Sequence, residues 1–248
     1  METISEALAH TQERIARACQ ASGRSPGEVT LLAVGKTKPW DDIAQAAAAG
    51  QRDFGENYVQ EGVDKIAQWR VQRDSAPGDA ALGLQGLQWH LIGPLQSNKT
   101  REVAQHFDWV HSIDRLKIAQ RLSEQRPAEL PPLQVCLQVN ISGQSSKSGV
   151  APTQALALAQ AVQALPRLRL RGLMSIPEPA DDEAGRRAPH RALRELRDAL
   201  QRADPRLELP VLSMGMSDDL EAAIAEGATL VRIGTAIFGR RTTGHAPS

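Results

Sequence analysis

The chain has 248 residues, enough for one large domain with a sizeable core. Its 29 acidic and 29 basic side chains balance to zero formal charge, so no long-range field argues for nucleic acid or an anionic membrane. Two distant cysteines (Cys19 and Cys136), a polar N-terminus without a signal-peptide core and no run of about 18 apolar residues point to a reduced, cytoplasmic setting without disulfides or membrane spans.

Residues 2–21 place Ile4, Leu8, Ile15 and Ala18 at helical spacing, and SGRSPGE (22–28) ends that helix. VTLLAV (29–34) is short, apolar and β-branched, the pattern of a buried strand. KTKPW leads into DDIAQAAAAG, an alanine-rich helix closed by Gly50. RDFG offers only four residues for the next strand, and NYVQEGVDKIAQWR is a helix. DSAPGDAALGLQG reads as a peripheral loop. LQWHLIG, WVHSI, LQVCLQVN, RLRLRGLMSI, LPVLSM and TLVRIG follow as strands. Between them lie the helices NKTREVAQHF, DRLKIAQRLSEQ, TQALALAQAVQAL, HRALRELRDALQ and SDDLEAAIAEG. TAIFGRR and a short tail (241–248) close the chain.

Eight strands, each followed by a helix or helical turn, predict a parallel α/β sheet. The count of eight favours a closed (β/α)8 barrel of the TIM type over an open doubly wound sheet. No Pro- or Ser-rich linker divides the chain, so residues 1–248 read as one domain, with an extra N-terminal helix and turn over 1–28.

In such barrels the chemistry sits at the C-terminal ends of the strands. Those ends supply Lys36, Glu56, Asn57, His111, Ser112, Asn140, Met174, Ser175, Ser213 and the MGMS segment (214–217), with His90 and Arg232 carried on strands. Strand parity puts Arg232 on the face opposite Val231 and Ile233, hence inside the barrel, where a cation needs a ligand or an ion pair with a carboxylate such as Glu56. MGMSDD and IGTAIFG place glycines beside Ser217 and Thr235 at helix starts, a phosphate cradle or ordinary N-capping. Asp218 and Asp219 read as facing solvent. Only six lysines stand against 23 arginines, and two of them, Lys36 and Lys38, end the first strand. A lysine in a barrel mouth can lose its proton and form a Schiff base, which arginine cannot. Lys36 with an inward arginine and a phosphate cradle suits an aldehyde, a ring and a phosphate, which describes pyridoxal 5′-phosphate. A solvated lysine, or a phosphate clamp without covalent chemistry, fits the residues equally. Lys38 lies past the strand and reads as solvent-facing or accessory.

AVGKTKP, FGENYVQE, WHLIGPLQSNK, SKSG, RGLMSIP, LSMGMSDDLEAAI and VRIGTAIFG run in this order across nearly the whole chain. In these blocks the sequence closely resembles the YggS/PROSC family of pyridoxal phosphate homeostasis proteins, a departure being Gly35, where many relatives have serine or another small residue. The resemblance implies a single barrel similar to the N-terminal domain of alanine racemase. It implies that Lys36 carries the cofactor as a Schiff base. Ser217, Gly234, Thr235 and backbone near Met216 would hold the phosphate. Arg232 would face the pyridine nitrogen, and Asn57 and His90 would line the pocket near the ring. An arginine there disfavours protonation of that nitrogen and makes the cofactor a weaker electron sink. Racemases with such an arginine use a second base, a tyrosine from an additional β-domain of the partner subunit. Here Tyr58 is the only tyrosine and the chain ends fourteen residues after Gly234. The expectation is therefore a non-enzymatic protein that carries or buffers pyridoxal phosphate and hands it to apoenzymes, as a monomer without metal. A pyridoxal phosphate-dependent racemase or lyase is the alternative, and a barrel enzyme for a phosphorylated metabolite a third.

Overall fold

Short strands with an apolar outer face, each followed by a helix with one apolar face, close into a ring. The computed structural model describes residues 2–75, 83–144 and 148–239. Its strands β1 Thr30–Val34, β2 Asp53–Glu56, β3 Gln88–Leu91, β4 Trp109–Ile113, β5 Leu133–Gln138, β6 Leu168–Met174, β7 Val211–Ser213 and β8 Leu230–Ile233 form a closed barrel in chain order. All eight pairings are parallel, including β1 with β8. The expected barrel is borne out, and the strand expected at RDFG is β2, shifted one residue on to Asp53–Glu56. The expected tail 241–248, the centre of the DSAPGDAALGLQG loop (76–82) and the SSK of SKSG (145–147) lie outside the described residues.

The helices are α1 Ile4–Ala21, α2 Trp40–Ala48, α3 Val59–Ser75, α4 Thr100–His106, α5 Leu116–Gln125, α6 Ala155–Gln163, α7 Glu183–Ala203, α8 Leu220–Ala225 and α9 Thr235–Phe238. Helix α1 begins in a capping box. The Thr3 Oγ1 accepts from Glu6 N at 3.2 Å, and Glu6 Oε2 accepts from Thr3 N at 2.8 Å. Its Leu8, Ile15, Ala18 and Cys19 are buried, and it packs against α8 and α9. Helix α7 corrects the sequence reading. It starts at Glu183, seven residues before the expected HRAL, with Asp182 accepting from Gly185 N as its cap. Pro189 lies inside it. A proline there removes a backbone donor, and none of the seven residues ahead of His190 is buried, so no apolar face marks the earlier start. None of the helices among the described residues is long and apolar enough to cross a membrane.

Strand parity divides the core into two unequal parts. Outward residues such as Ala33, Phe54, Trp89, Val110, Val135, Leu173, Val231 and Ile233 join helix side chains in one large cluster. Inward residues form only a small apolar group, Leu32, Val34, Ile92 and Leu230. The rest of the interior includes His90, His111, Ser213 and Arg232, all buried. Among the glycines, Gly172 and Gly62 sit where neighbouring atoms leave no room for a side chain. A Cβ on Gly172 of β6 would stand 1.8 Å from the Val211 carbonyl oxygen of β7. On Gly62 of α3 it would meet Phe107 at 2.5 Å.

Glu56, on the outward parity of β2, is fully buried between barrel and helix. Its Oε1 accepts from Lys65 Nζ of α3 at 2.8 Å. The same ammonium donates to Glu61 Oε1 at 2.7 Å and to the Gly35 carbonyl at 2.7 Å. The other Glu56 oxygen, Oε2, has no partner. Burial therefore pushes the Glu56 carboxyl up to about 7, despite the opposing pull of Lys65.

Two outcomes follow from this packing. Gly172→Ala should lower stability by about 1–3 kcal/mol through the β6–β7 clash. That would lower the melting temperature by about 2–4 °C per kcal/mol at this chain length, and an unchanged melting temperature would contradict the close approach. Glu56 makes stability depend on pH. Its folded pKa of about 7 lies above the ordinary 4.5, so between those values the folded chain keeps a proton that the unfolded chain has lost. The contribution is complete below the ordinary value and declines as pH rises through about 7. Urea midpoints measured across that window should fall with rising pH in the wild type and slope less in Glu56→Gln; equal slopes would remove Glu56 as the source.

Candidate functional site at the barrel mouth

Arg232 enters the interior as parity requires, paired in register with inward Leu32 of β1. It is 4% exposed. Its Nη1 donates to Ser213 Oγ at 2.9 Å and its Nη2 to the Ser175 carbonyl at 2.8 Å. Both acceptors are neutral. Glu56, the carboxylate that sequence offered as an ion-pair partner, points the other way, to Lys65. Burial lowers the Arg232 pKa to about 10, with Asp219 acting against that from a distance. A cation held this way has bonding capacity left for an acceptor of another molecule.

Lys36 follows β1 at the mouth and is partly exposed. The loop that carries it is fastened on three sides. Gly35 N donates to the Gly55 carbonyl of β2 at 2.9 Å, and the Gly35 carbonyl accepts from Lys38 N as well as from Lys65 Nζ. Thr37 takes a left-handed backbone conformation, φ 63°, and its N–H donates to Glu61 Oε1 at 2.5 Å. Lys38 Nζ donates to the Phe238 carbonyl at 2.5 Å. Lys38 is thus partly buried and ties the lysine loop to the end of α9, where the sequence suggested a solvent-facing or accessory charge. Gly35 sits where a Cβ would touch Ile43 Cδ1 at 2.5 Å and Glu56 Oε1 at 2.9 Å.

The segments after β7 and β8 supply the glycines and hydroxyls of the expected cradle. Gly215 has φ 94°, and a Cβ there would meet Ala223 at 2.6 Å. Ser217 is partly exposed and Thr235 exposed at the first position of α9, behind Gly234. Met216, also exposed, donates its N–H to Asp219 Oδ1 at 2.6 Å. Asp219 corrects the sequence reading. Asp218 is exposed, but Asp219 is partly buried, its Oδ2 2.9 Å from Nε2 of the buried His190 on α7. Burial would raise the Asp219 carboxyl, but the hydrogen bonds of His190 and Met216 N–H outweigh this and hold it below the ordinary range. Asp219 braces the β7 segment from behind.

On the opposite side of the mouth, a cavity of about 240 Å³ is lined by Asn57, Ile92, Gly93, Pro94, Gln138, Ser148 and Ile176. The Asn57 Oδ1 is buried there without a hydrogen-bond partner, as is Ser175 Oγ beside Arg232. Asn140 is engaged in its own loop, donating from Nδ2 to the Gln144 carbonyl. Met174 and Ser112 are buried. His90 is 1% exposed, stacked on Trp109 at 5.2 Å, and bonded to His111 and Asp53. It reaches Arg232 only through His111 and Ser213. Among the described residues, no group of three or more His, Cys, Asp or Glu side chains could hold a metal ion.

Residues 6–242 match the alanine racemase N-terminal domain family. A pyridoxal phosphate homeostasis protein of Pseudomonas aeruginosa is 60% identical over 244 residues, 98% of each chain. The Escherichia coli K12 protein of the same name is 55% identical, over 97% of this chain and 98% of its own. Among solved structures, PipY of Synechococcus elongatus with pyridoxal phosphate bound aligns with a TM-score of 0.75 at 38% identity. The alignment covers 91% of this chain and all of that one. Alanine racemase of Corynebacterium glutamicum, at 19% identity and a TM-score of 0.64, shares the fold over 96% of this chain and 62% of its own. Near-full-length identity to proteins of one name, on a barrel whose mouth carries Lys36 and Arg232, makes this chain a member of the pyridoxal phosphate homeostasis protein family.

Proposed function

We propose that this protein binds pyridoxal 5′-phosphate reversibly at the barrel mouth and serves as a carrier or buffer of it. The observation that carries the reading is Arg232, a buried guanidinium whose hydrogen bonds go to neutral oxygens. That arrangement suits the unprotonated pyridine nitrogen of the ligand, which accepts a hydrogen bond and needs no carboxylate beside it. The other residues fit the same group. Lys36 offers an amine at the mouth, Asn57 an unpartnered buried oxygen, and the Gly215–Ser217 and Gly234–Thr235 segments a close backbone with hydroxyl donors for a phosphate. The ligand supplies an aldehyde, which condenses reversibly with an amine to a Schiff base. Lys36 supplies that amine, and Arg232 orients the ring and leaves its nitrogen unprotonated. His90 acts behind Arg232.

The relatives that are 50–60% identical over nearly their full length are named for homeostasis. A carrier role, with pyridoxal phosphate-dependent apoenzymes as recipients, accords with those names. Arg232 supports it further, because a ring nitrogen that stays neutral is a poor sink for the electrons a racemase or lyase must delocalise. Loss of α-deuterium from labelled amino acids at enzyme-like rates would favour the enzymatic reading instead.

Purified protein mixed with pyridoxal phosphate should develop a visible absorbance band that borohydride abolishes, and Lys36→Ala should not. A band that persists in Lys36→Ala would move the amine elsewhere. Ser217→Ala and Thr235→Val should each weaken retention of the ligand by about 1.5–3 kcal/mol, the scale for a lost hydrogen bond to a charged group. Equilibrium dialysis showing unchanged affinity in both would remove the phosphate from the β7 and β8 segments.

A further inference from the structure

The barrel interior holds a continuous line of hydrogen bonds that the proposed binding residues do not account for. Arg232 Nη1 donates to Ser213 Oγ at 2.9 Å. Ser213 Oγ lies 2.8 Å from His111 Nδ1. His111 Nε2 lies 2.9 Å from His90 Nδ1, and His90 Nε2 lies 3.2 Å from Asp53 Oδ1. The line begins near the mouth, in β8, and ends on the first residue of β2, at the opposite end of the barrel. There Asp53 borders an open depression with Thr30, Gln51 and Arg52. Its side chain is 27% exposed, whereas His90 is 1% and His111 0% exposed.

With both rings neutral, the Asp53 end fixes the direction of every bond in the line. Asp53 as a carboxylate can only accept, so His90 carries its proton on Nε2. His90 Nδ1 is then bare and must accept, so His111 also carries its proton on Nε2. His111 Nδ1 is bare in turn and accepts a hydrogen bond from the Ser213 hydroxyl, whose oxygen accepts from Arg232. With neutral rings, the reverse direction would set the bare lone pair of His90 Nε2 against the carboxylate. A second proton on His90 would place another cation in the interior that already holds Arg232. His111 stays neutral, its pKa held well below the ordinary histidine range chiefly by burial, with the Arg232 charge acting in the same direction. Trp109 covers one face of His90, with the rings nearly parallel at 5°.

We infer that Asp53, at the base of the barrel, is a positioning residue for Arg232 at the mouth: it sets the tautomers of His90 and His111, and this one-way line holds the guanidinium in its binding orientation. Bonds aligned head to tail polarise one another, so the influence of a carboxylate passes along such a line without any change of backbone. The inference rests on the pyridoxal phosphate reading only for its last step. The tautomers belong to the ligand-free protein.

The test uses the full chain and Asp53→Asn, which preserves shape but presents either an acceptor or a donor to His90. Nitrogen-15 spectra of the histidine rings in the ligand-free wild type should show both His90 and His111 protonated on Nε2 alone. In Asp53→Asn a population with the proton on Nδ1 should appear at both rings. Retention of pyridoxal phosphate should fall about 3- to 10-fold, with the melting temperature near that of the wild type. Ser213→Ala, which cuts the line at Arg232, should lower retention similarly while leaving the wild-type tautomers. A doubly protonated His90, or a proton on His111 Nδ1, in the wild type would overturn the inference. So would unchanged tautomers in Asp53→Asn, or altered tautomers with unchanged retention. Correct tautomers in a wild type that binds no pyridoxal phosphate would sink the proposed function and leave the line of bonds in place.

Discussion

Burying Arg232 among neutral oxygens removes a cation from water with two hydrogen bonds to replace its hydration. Such a group is tolerated when its donors are satisfied and its surroundings are polar. The barrel supplies the polar surroundings and satisfies two of the donors, leaving the others for a ligand. Its apolar inner cluster is small, and histidines and serines occupy the space that branched apolar residues usually fill in barrels of this type. The large outer layer between strands and helices carries the hydrophobic stabilisation. The interior is thereby released from a purely structural task and can hold a charge where a ligand would meet it.

The lysine loop is held by a different device. Lys65 gathers Glu56, Glu61 and the Gly35 carbonyl around one ammonium, and Glu61 in turn accepts the Thr37 N–H. The cluster lies outside the barrel wall, between β2 and α3. It fixes the backbone on both sides of Lys36 without placing a carboxylate in the mouth. That separation matters electrostatically. A carboxylate beside the lysine would stabilise its ammonium form and oppose the loss of a proton that amine chemistry requires. The departure at position 35 belongs to the same packing, since a glycine there leaves room for Ile43 and Glu56.

Much of this was legible from sequence because it depends on local pattern. Alternation of strand and helix gave eight strands, and parity alone sent Arg232 inward and Val231 and Ile233 outward. What escaped depends on contacts between distant segments. Asp219 reads as solvent-facing from sequence because its partner, His190, lies 29 residues earlier on another helix. Lys38 looked peripheral because the carbonyl it binds belongs to Phe238, 200 residues away. His90 and His111 are visible as strand residues, but their meeting depends on the register of β3 against β4, which sets His90 opposite Trp109. Helix α7 starts earlier than its apolar pattern indicates because none of Glu183–Pro189 is buried, so no apolar face marks that first stretch; the buried His190 and Leu193 come only after it.

The two halves of the mouth differ in how firmly they are held. Arg232 is gripped from behind by fully buried partners, so water cannot readily replace their hydrogen bonds. The lysine loop depends partly on exposed or half-exposed groups: Thr37 is exposed, and Glu61 is 26% exposed. Thr37 also adopts a left-handed conformation that a β-branched residue takes only under constraint. Hydrogen bonds near water open more easily than buried ones, and a strained backbone favours the opening. A ligand that spans the mouth would therefore be oriented on a rigid side and tethered on a yielding one. This asymmetry suits reversible exchange. The recognition of the ring does not have to be rebuilt each time the tether forms or breaks, and release needs movement only of a loop already near its conformational limit.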